Sequence, residues 1–273
     1  ERLLKTLHID YPIHGKLILW DDIHALKNTP SPLQLTAAKT RLKTLHPSDL
    51  ADIIEDLDKT TRINLFSTLD EEQAADVLEE MDTDTQVEMV ESLPKEKVAD
   101  VLEKMPADEA ADILDELKDE KAEELLREME NESSEDIREL LEYPDKEVGS
   151  IMTRDYMTFR NDMTVEETLK SLRKEKPEPS YIYSLFVVDK DDKFLSAIPL
   201  GDIAVADPKL QLDQIMQKNP VIVYDDDDID ILADLVSKYN LLAVPVLNHD
   251  REIEGVVVIE DIVEDLLGNR KTK

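Results

Sequence analysis

A twelve-residue repeat of apolar positions organises the first half of the chain. The stretch 93–117, LPKEKVADVLEKMPADEAADILDEL, contains two copies of one unit. Apolar residues within a unit have helical spacing, as at Val98, Val101 and Leu102. The first apolar register holds Leu33, Leu45, Leu57, Leu69, Met81, Leu93, Met105, Leu117, Met129 and Leu141. The second and third registers hold Ile53, Leu65, Val77, Met89, Val101, Ile113, Leu125 and Ile137, and Ile54, Phe66, Leu78, Val90, Leu102, Leu114 and Leu126.

This period predicts many short helices rather than one long helix. Twelve helical residues advance about 120° beyond whole turns, so a single straight helix would spread the apolar stripe around its surface. Pro47, Pro94 and Pro106 stand at joints between units, where a proline starts a helix well and continues one badly. Helices of about two turns are unstable alone. We therefore expect them to stack into a right-handed superhelix that buries the three registers.

A different repeat fills the second half. The dipeptide Ile-Met at 151–152 recurs at 215–216, which is 64 residues later. Each copy continues with a short β-like segment, an amphipathic helix and two strands, and ends at an aspartate that we expect to cap a helix, Asp202 or Asp261. Thr164 with a glutamate three residues later predicts a capping box. The second half therefore reads β-α-β-β-α twice.

These patterns predict an α domain followed by an α/β module. We expect a connecting helix between them, capped by Ser133 or Ser134 and ended by Pro144. The predicted segments are a leader packing on the helical domain (1–32), the acidic helical repeat (33–130), the connecting helix (131–145), the two β-α-β-β-α copies (146–208 and 209–268) and a tail (269–273).

Composition narrows the classes of function. With 65 acidic and 32 basic residues the net charge is −33, which argues against binding nucleic acid or an anionic membrane surface and creates a field that attracts cations. The chain has no cysteine, and its five histidines show no zinc-ligand spacing. No apolar run reaches the roughly 20 residues of a membrane helix, so we expect a soluble polypeptide. No nucleophile–base set or P-loop is present, so we do not expect an enzyme.

Several motifs resemble a known family. The I-M-T-x-x-Y start at Ile151, the V-V-D turn and the closing apolar strand followed by an aspartate are similar to a tandem CBS-domain pair, or Bateman module. The phrases LHPSDLADIIEDL, GSIMT and AVADP, together with an acidic leucine-rich superhelix placed before a CBS pair, resemble the cytosolic part of an MgtE-type magnesium transporter. The resemblance covers residues 33–268.

The resemblance implies a magnesium sensor on the cytoplasmic side of the cell membrane. In such a protein Mg²⁺ lies between the helical domain and the CBS pair and holds a closed homodimer, and a membrane domain follows. Mg²⁺ prefers carboxylate oxygens and keeps several waters, which suits shared acidic surfaces. Asn240 stands where the family has an aspartate. The family's metal positions fall here on Asp76, Asp108 and Asp112 in the helical domain and on Asp261 and Glu264 at the last helix.

Each acidic residue also has a plainer interpretation. Asp108 and Asp112 are four residues apart, which places both on one helix face, and such a face is commonly only solvated. The run 225–228, four aspartates, lacks the glycine and the distant glutamate of a calcium loop. We interpret it as a turn and the start of a helix, where acidic residues are favourable.

Two alternative functions stay open at this stage. The first is a soluble CBS regulator that senses adenine nucleotides and controls a partner enzyme. CBS nucleotide sites usually have a hydroxyl residue shortly before the aspartate, yet Pro199 and Val258 stand there, and Ser184 and Leu241 replace expected stacking aromatics. We therefore predict weak or absent nucleotide binding. The second alternative is a helical scaffold that responds to cations only through general screening.

Overall fold

A computed structural model describes residues 45–177, 182–259 and 262–263, and the backbone of a short hairpin near the start of the chain. That hairpin pairs β1 (Tyr11–Ile13) with β2 (Lys16–Ile18) in antiparallel register. The rest of the predicted leader, the start of the repeat at Leu33 and the tail 269–273 lie outside the described residues.

The helices of the repeat start at intervals of twelve residues. Each contains between 8 and 11 residues, so the prediction of short helices is confirmed. They are α1 (Pro47–Glu55), α2 (Lys59–Phe66), α3 (Glu71–Glu79), α4 (Thr83–Ser92), α5 (Lys95–Leu102), α6 (Ala107–Asp115), α7 (Asp119–Glu128) and α8 (Asn131–Leu141).

Polar residues and prolines punctuate these helices. The carboxylates of Asp58 and Asp70 accept the backbone N–H groups three residues further on and so cap α2 and α3. Pro47 occupies the first turn of α1, and Pro94 immediately precedes α5. The predicted serine cap of α8 is wrong. That helix begins at Asn131, in phase with the repeat, and the hydroxyl of Ser134 donates to the Asn131 carbonyl inside the first turn.

The three apolar registers form the core of the helical repeat. No member of the second or third register is more than 4% exposed. The first register is buried from Leu57 to Met129, at 5% to 8% exposed. Burying an aliphatic side chain contributes about 1.5–3 kcal/mol, so neighbouring helices supply the stability that each short helix lacks.

Alternate helices pack against each other in sequence: α1 on α3, α3 on α5 and α5 on α7. The same period recurs in the polar contacts. The carboxylate of Glu55 accepts the backbone N–H of Asp82 at 2.6 Å, and Glu103 accepts that of Glu130. Both contacts span 27 residues, so equivalent glutamates tie the end of one helix to the start of another.

The second half contains two three-stranded sheets of the same topology. In each, the first strand is parallel to the second and the second is antiparallel to the third, as the β-α-β-β prediction requires. A 3₁₀ turn at Val148–Ile151 precedes the first copy. The elements are β3 (Thr158–Arg160), α9 (Val165–Glu175), β4 (Ser184–Val188), β5 (Phe194–Pro199), α10 (Leu200–Val205), α11 (Leu212–Ile215), β6 (Val223–Tyr224), α12 (Asp230–Tyr239), β7 (Ala243–Leu247) and β8 (Ile253–Val258).

Strand β4 is buried on both faces. Leu185 and Val187 join the core of the first copy, whereas the alternating Phe186 and Val188 pack with residues of the second sheet such as Leu247. Successive side chains of a strand point to opposite faces, so a continuous apolar run fits a strand between two cores. The capping box of Thr164 is also confirmed, because its hydroxyl accepts the N–H of Glu167 and the Glu167 carboxylate accepts the N–H of Thr164.

One predicted cap of the second half is wrong. Helix α10 begins at Leu200 after Pro199, so Asp202 lies inside its first turn instead of capping it. Negative charge is still favourable there, because the backbone N–H groups of the first turn point toward it. The equivalent Asp261 lies outside the described residues.

The chain divides into two compact units. The first, which we call the helical unit, comprises Glu1–Met105 and Asp112–Ser134. The second, the mixed unit, comprises Pro106–Ala111 and Glu135–Lys273. The first turns of α6 therefore belong with the second half of the chain. None of the helices in the described part of the chain combines the length and the apolar character needed to cross a bilayer.

The buried registers make a direct prediction about stability. Met89 is fully buried in the second register, whereas Glu91 on the same helix is exposed. We expect Met89→Ala to lower the free energy of unfolding by about 2–5 kcal/mol, because it leaves a cavity. Glu91→Ala should change it by less than about 0.5 kcal/mol. Urea unfolding followed by circular dichroism measures both, and equal effects would contradict the assignment of the registers.

Candidate metal site

The structure places the predicted ligands of the helical repeat in different environments. Asp76 lies exposed on α3. Asp108 and Asp112 lie one turn apart on α6, but Asp112 is exposed and Asp108 is only 8% exposed. Asp261 and Glu264 lie outside the described residues. Within the described ranges, no group of three or more histidine, aspartate and glutamate side chains is arranged to hold a metal ion.

Asp108 stands apart from the other candidates because its carboxyl group is buried. It lies in the first turn of α6, directly after Pro106 and Ala107. Its side chain meets the hydroxyl of Thr153, and the charge of Asp155 is close enough to act on it. Thr153 and Asp155 belong to the segment that joins the 3₁₀ turn to β3, and all three residues are part of the mixed unit.

Burial controls the ionisation of Asp108. It raises the pKa of the carboxyl group from 3.8 to about 6, since a charged carboxylate loses solvation when it leaves water. The hydroxyl of Thr153 and the backbone N–H groups of Asp108 and Glu109 lower the pKa in part, and the charge of Asp155 raises it further. At neutral pH the group is therefore ionised at a cost in free energy.

One oxygen of this carboxylate has no hydrogen-bond donor among the residues that the structure describes. Oδ1 of Asp108 is buried and makes no hydrogen bond to any described residue. The hydroxyl oxygen of Thr153 already accepts the backbone N–H of Asp155 at 3.2 Å, so its own proton is available for the Asp108 carboxylate. A buried carboxylate oxygen with no donor, beside a hydroxyl and a second carboxylate, has the chemistry that a hard cation such as Mg²⁺ prefers.

Backbone pairing fixes Thr153 in this position. Its N–H donates to the Val256 carbonyl at 2.8 Å, and the Val256 N–H donates to the Thr153 carbonyl at 2.9 Å. The approach to β8 is close at Gly255. A Cβ atom there would lie 2.8 Å from the Thr153 carbonyl oxygen and 2.7 Å from the sulfur of Met152, so only glycine fits. The second copy of the repeat thus holds the start of the first.

Sequence reasoning missed Thr153 and Asp155 as neighbours of Asp108. The I-M-T motif contains Thr153, but the motif served only as a mark of the CBS repeat. Asn240 has a structural explanation: it ends α12 in the left-handed conformation, which asparagine tolerates well.

The acidic run 225–228 forms the predicted turn. The carboxylate of Asp227 accepts the N–H of Tyr224 at 2.7 Å, and that of Asp228 accepts the N–H of Asp230 at 2.9 Å. Helix α12 begins at Asp230. Both carboxylates stabilise the backbone of the turn, and that of Asp228 does so as an Asx turn.

Comparison with known proteins assigns the two halves of the chain to different domain families. Residues 45–146 match the MgtE intracellular N domain, and residues 148–209 and 212–268 match two CBS domains. The chain is an MgtE N domain followed by a CBS pair. The protein called magnesium transporter MgtE in Thermus thermophilus is 34% identical over 127 residues, which are 46% of this chain and 28% of that protein. The match therefore spans less than a third of that relative.

Two solved structures resemble the MgtE-type chain over most of its length. The crystal structure of the soluble part of a magnesium transporter has a TM-score of 0.84 at 26% identity, covering 91% of this chain and 96% of that one. The cytosolic domain of the Mg²⁺ channel MgtE in complex with ATP has a TM-score of 0.80 at 28% identity, covering 89% and 99%. This chain therefore has the domain organisation of an MgtE cytosolic region.

The buried carboxyl group predicts a pH-dependent effect of mutation in the absence of divalent cations. The folded-state pKa of Asp108 is raised, so ionisation penalises the folded protein increasingly as pH rises from about 4 through about 6. Asp108→Asn should therefore increase the free energy of unfolding at pH 8 by on the order of 1–3 kcal/mol and have little effect near pH 4.

Asp112→Asn supplies the matched control, because Asp112 is exposed on the same helix. At pH 8 its effect on the free energy of unfolding should be smaller than that of Asp108→Asn, because an exposed carboxylate keeps its solvation. Urea unfolding in EDTA at both pH values measures the two variants. An Asp108→Asn effect that is equal at pH 4 and pH 8 would contradict the burial of an ionised carboxylate.

Proposed function

We propose that this chain is the magnesium-sensing and gating cytosolic region of a magnesium transporter. In this proposal Mg²⁺ binds carboxylates of the helical domain and of the CBS pair and holds a closed homodimer, and a membrane domain of the same protein carries the pore. The observation that carries the proposal is the buried Oδ1 of Asp108, which has no hydrogen-bond donor among the described residues. The MgtE domain organisation supports it.

Repulsion between carboxylates explains why the closed state would need a bound cation. Two unit charges 4 Å apart repel by about 1 kcal/mol in water and about 4 kcal/mol at an effective dielectric constant of 20. With a net charge of −33, acidic surfaces of this protein separate unless cations neutralise them. A ligand that binds only the closed state stabilises it by about 2.7 kcal/mol at 100 times its dissociation constant.

The candidate ligands divide into two types in this proposal. Asp108 would bind the ion directly through Oδ1, because a buried oxygen without a donor gains most from a cation. Asp76 and Asp112 are exposed and would meet a largely hydrated Mg²⁺, which keeps several of its waters. Asp261 and Glu264 enter only through the family resemblance.

Small-angle scattering tests the proposal on the chain as it stands. Titration with MgCl₂ should reduce the radius of gyration more than KCl does at equal ionic strength. The double variant Asp108→Ala/Asp112→Ala should lose most of this difference, since it removes one buried and one exposed candidate ligand.

A pair of exposed acidic residues gives the control for that titration. Asp84→Ala/Glu91→Ala removes the same number of charges from α4, where neither residue is a candidate ligand. It should respond to Mg²⁺ as the parent chain does. Equal compaction by both salts would leave only general screening, and the magnesium proposal would fail.

Nucleotide binding is expected to be weak despite the ATP complex of the related MgtE domain. Pro199 caps the start of α10 and has no hydroxyl, and Val258 ends β8 in the equivalent place. A bound phosphate loses one hydrogen-bond donor at each position. Isothermal titration should detect no saturable binding of ATP or AMP at micromolar concentrations. Tight binding would revive the proposal of a nucleotide-sensing regulator.

A further inference from the structure

Arg154 occupies the position between the two residues that face Asp108. Its guanidinium group contacts three carboxylates and its side chain is 24% exposed. Nη1 lies 3.1 Å from Oδ1 of Asp136 and also bonds Oε2 of Glu139, and Nη2 lies 3.8 Å from Oε2 of Glu254.

The three carboxylates come from two different elements. Asp136 and Glu139 lie one turn apart on α8, whereas Glu254 lies on β8. Arg154 itself belongs to the segment before β3. All four residues are part of the mixed unit. One guanidinium group therefore joins a helix, a strand and a connecting segment, which is a task that its planar fork of five donors performs better than a lysine ammonium.

The segment has contacts on either side of Arg154 that fix its course. Thr153 forms two backbone hydrogen bonds with Val256, as described above. The hydroxyl of Tyr156 donates to the Ile253 carbonyl at 2.7 Å. Between these two anchors the segment is held to β8, and Arg154 bonds it to Asp136 and Glu139 of α8.

The three consecutive residues 153–155 therefore contact two different sets of groups. Thr153 and Asp155 act on the Asp108 carboxylate, whereas Arg154 bonds the acidic residues of α8 and β8. Removing the guanidinium group would leave three carboxylates facing each other with no counter-charge from Arg154. Their repulsion would push α8 away from β8 and would shift the segment that carries Thr153 and Asp155.

We propose that Arg154 is a positioning residue for cation binding at Asp108: by bridging Asp136, Glu139 and Glu254 it holds Thr153 and Asp155 beside the Asp108 carboxylate. This proposal rests on the proposed function, since it assumes that a divalent cation binds at Asp108. Arg154 does not touch the ion itself. Its role resembles that of the outer-shell partners that orient the ligands of metal sites.

Isothermal titration of MgCl₂ into the chain in a constant KCl background tests the role of Arg154. Arg154→Met keeps most of the side-chain volume and should weaken Mg²⁺ binding roughly tenfold, the loss typical of outer-shell variants. Arg154→Lys should recover part of the affinity, because it keeps the charge but not the fork. Arg160→Met is the matched control. Among the described residues Arg160 forms its salt bridge with nearby Asp162 at the surface, so Mg²⁺ affinity should not change.

A double-mutant cycle with Asp108→Asn separates positioning from general destabilisation. If Arg154 acts through Asp108, Arg154→Met should weaken the residual Mg²⁺ response of Asp108→Asn less than about twofold. The proposal is overturned if Arg154→Met binds Mg²⁺ at least as tightly as the parent chain. It is also overturned if Arg154→Met lowers Mg²⁺ affinity by the same factor in the parent chain and in Asp108→Asn. A parent chain that binds no Mg²⁺ overturns the proposed function instead. Unfolding temperatures measured in EDTA show whether each variant is folded. If Arg154→Met does not fold, the same comparison is made with Arg154→Lys.

Discussion

Removal of one carboxylate from water governs the chemistry of this molecule. Asp108 is 8% exposed, its pKa is raised to about 6 by burial, and one of its oxygens has no hydrogen-bond donor among the described residues. A folded protein keeps such a group only at a cost in stability, unless something positive offsets the lost solvation. The hydroxyl of Thr153 and the backbone N–H groups of Asp108 and Glu109 offset this cost in part, and the charge of Asp155 adds to it.

The twelve-residue period determines where this carboxylate lies. Every helix of the repeat starts in the same phase, so α6 starts at Ala107 and Asp108 falls in its first turn. In the same helix the second and third registers place Ile113 and Leu114 in the core, both about 1% exposed. Helix α6 therefore carries two core residues of the repeat and, in its first turn, the buried carboxylate.

Much of the fold was predictable because it is periodic. Twelve-residue spacing, prolines at the joints and the duplicated β-α-β-β pattern each depend on local sequence, and each matches the observed elements. Errors arose where two local signals competed. Ser134 resembles a helix cap, yet the phase of the repeat starts α8 at Asn131, and Pro199 starts α10 ahead of Asp202.

The site was predictable only in part. Spacing places Asp108 and Asp112 on one helix face but gives no sign that one is buried and the other exposed. Thr153 and Asp155, the partners of Asp108 from outside its own helix, are some 45 residues away in sequence and reach it only through tertiary structure. The pairing of Thr153 with Val256 and the need for glycine at position 255 are long-range in the same way.

Oδ1 of Asp108 is, in the proposed function, a direct ligand of a divalent cation. A crystal structure of the chain grown with MnCl₂, in which Mn²⁺ stands in for Mg²⁺ and scatters anomalously, tests it most directly. We expect an anomalous peak at bonding distance from Oδ1, about 2.1 Å for a site of oxygen ligands. If no anomalous peak lies near Asp108 and an ordered water donates a hydrogen bond to Oδ1 instead, Oδ1 is not a cation ligand.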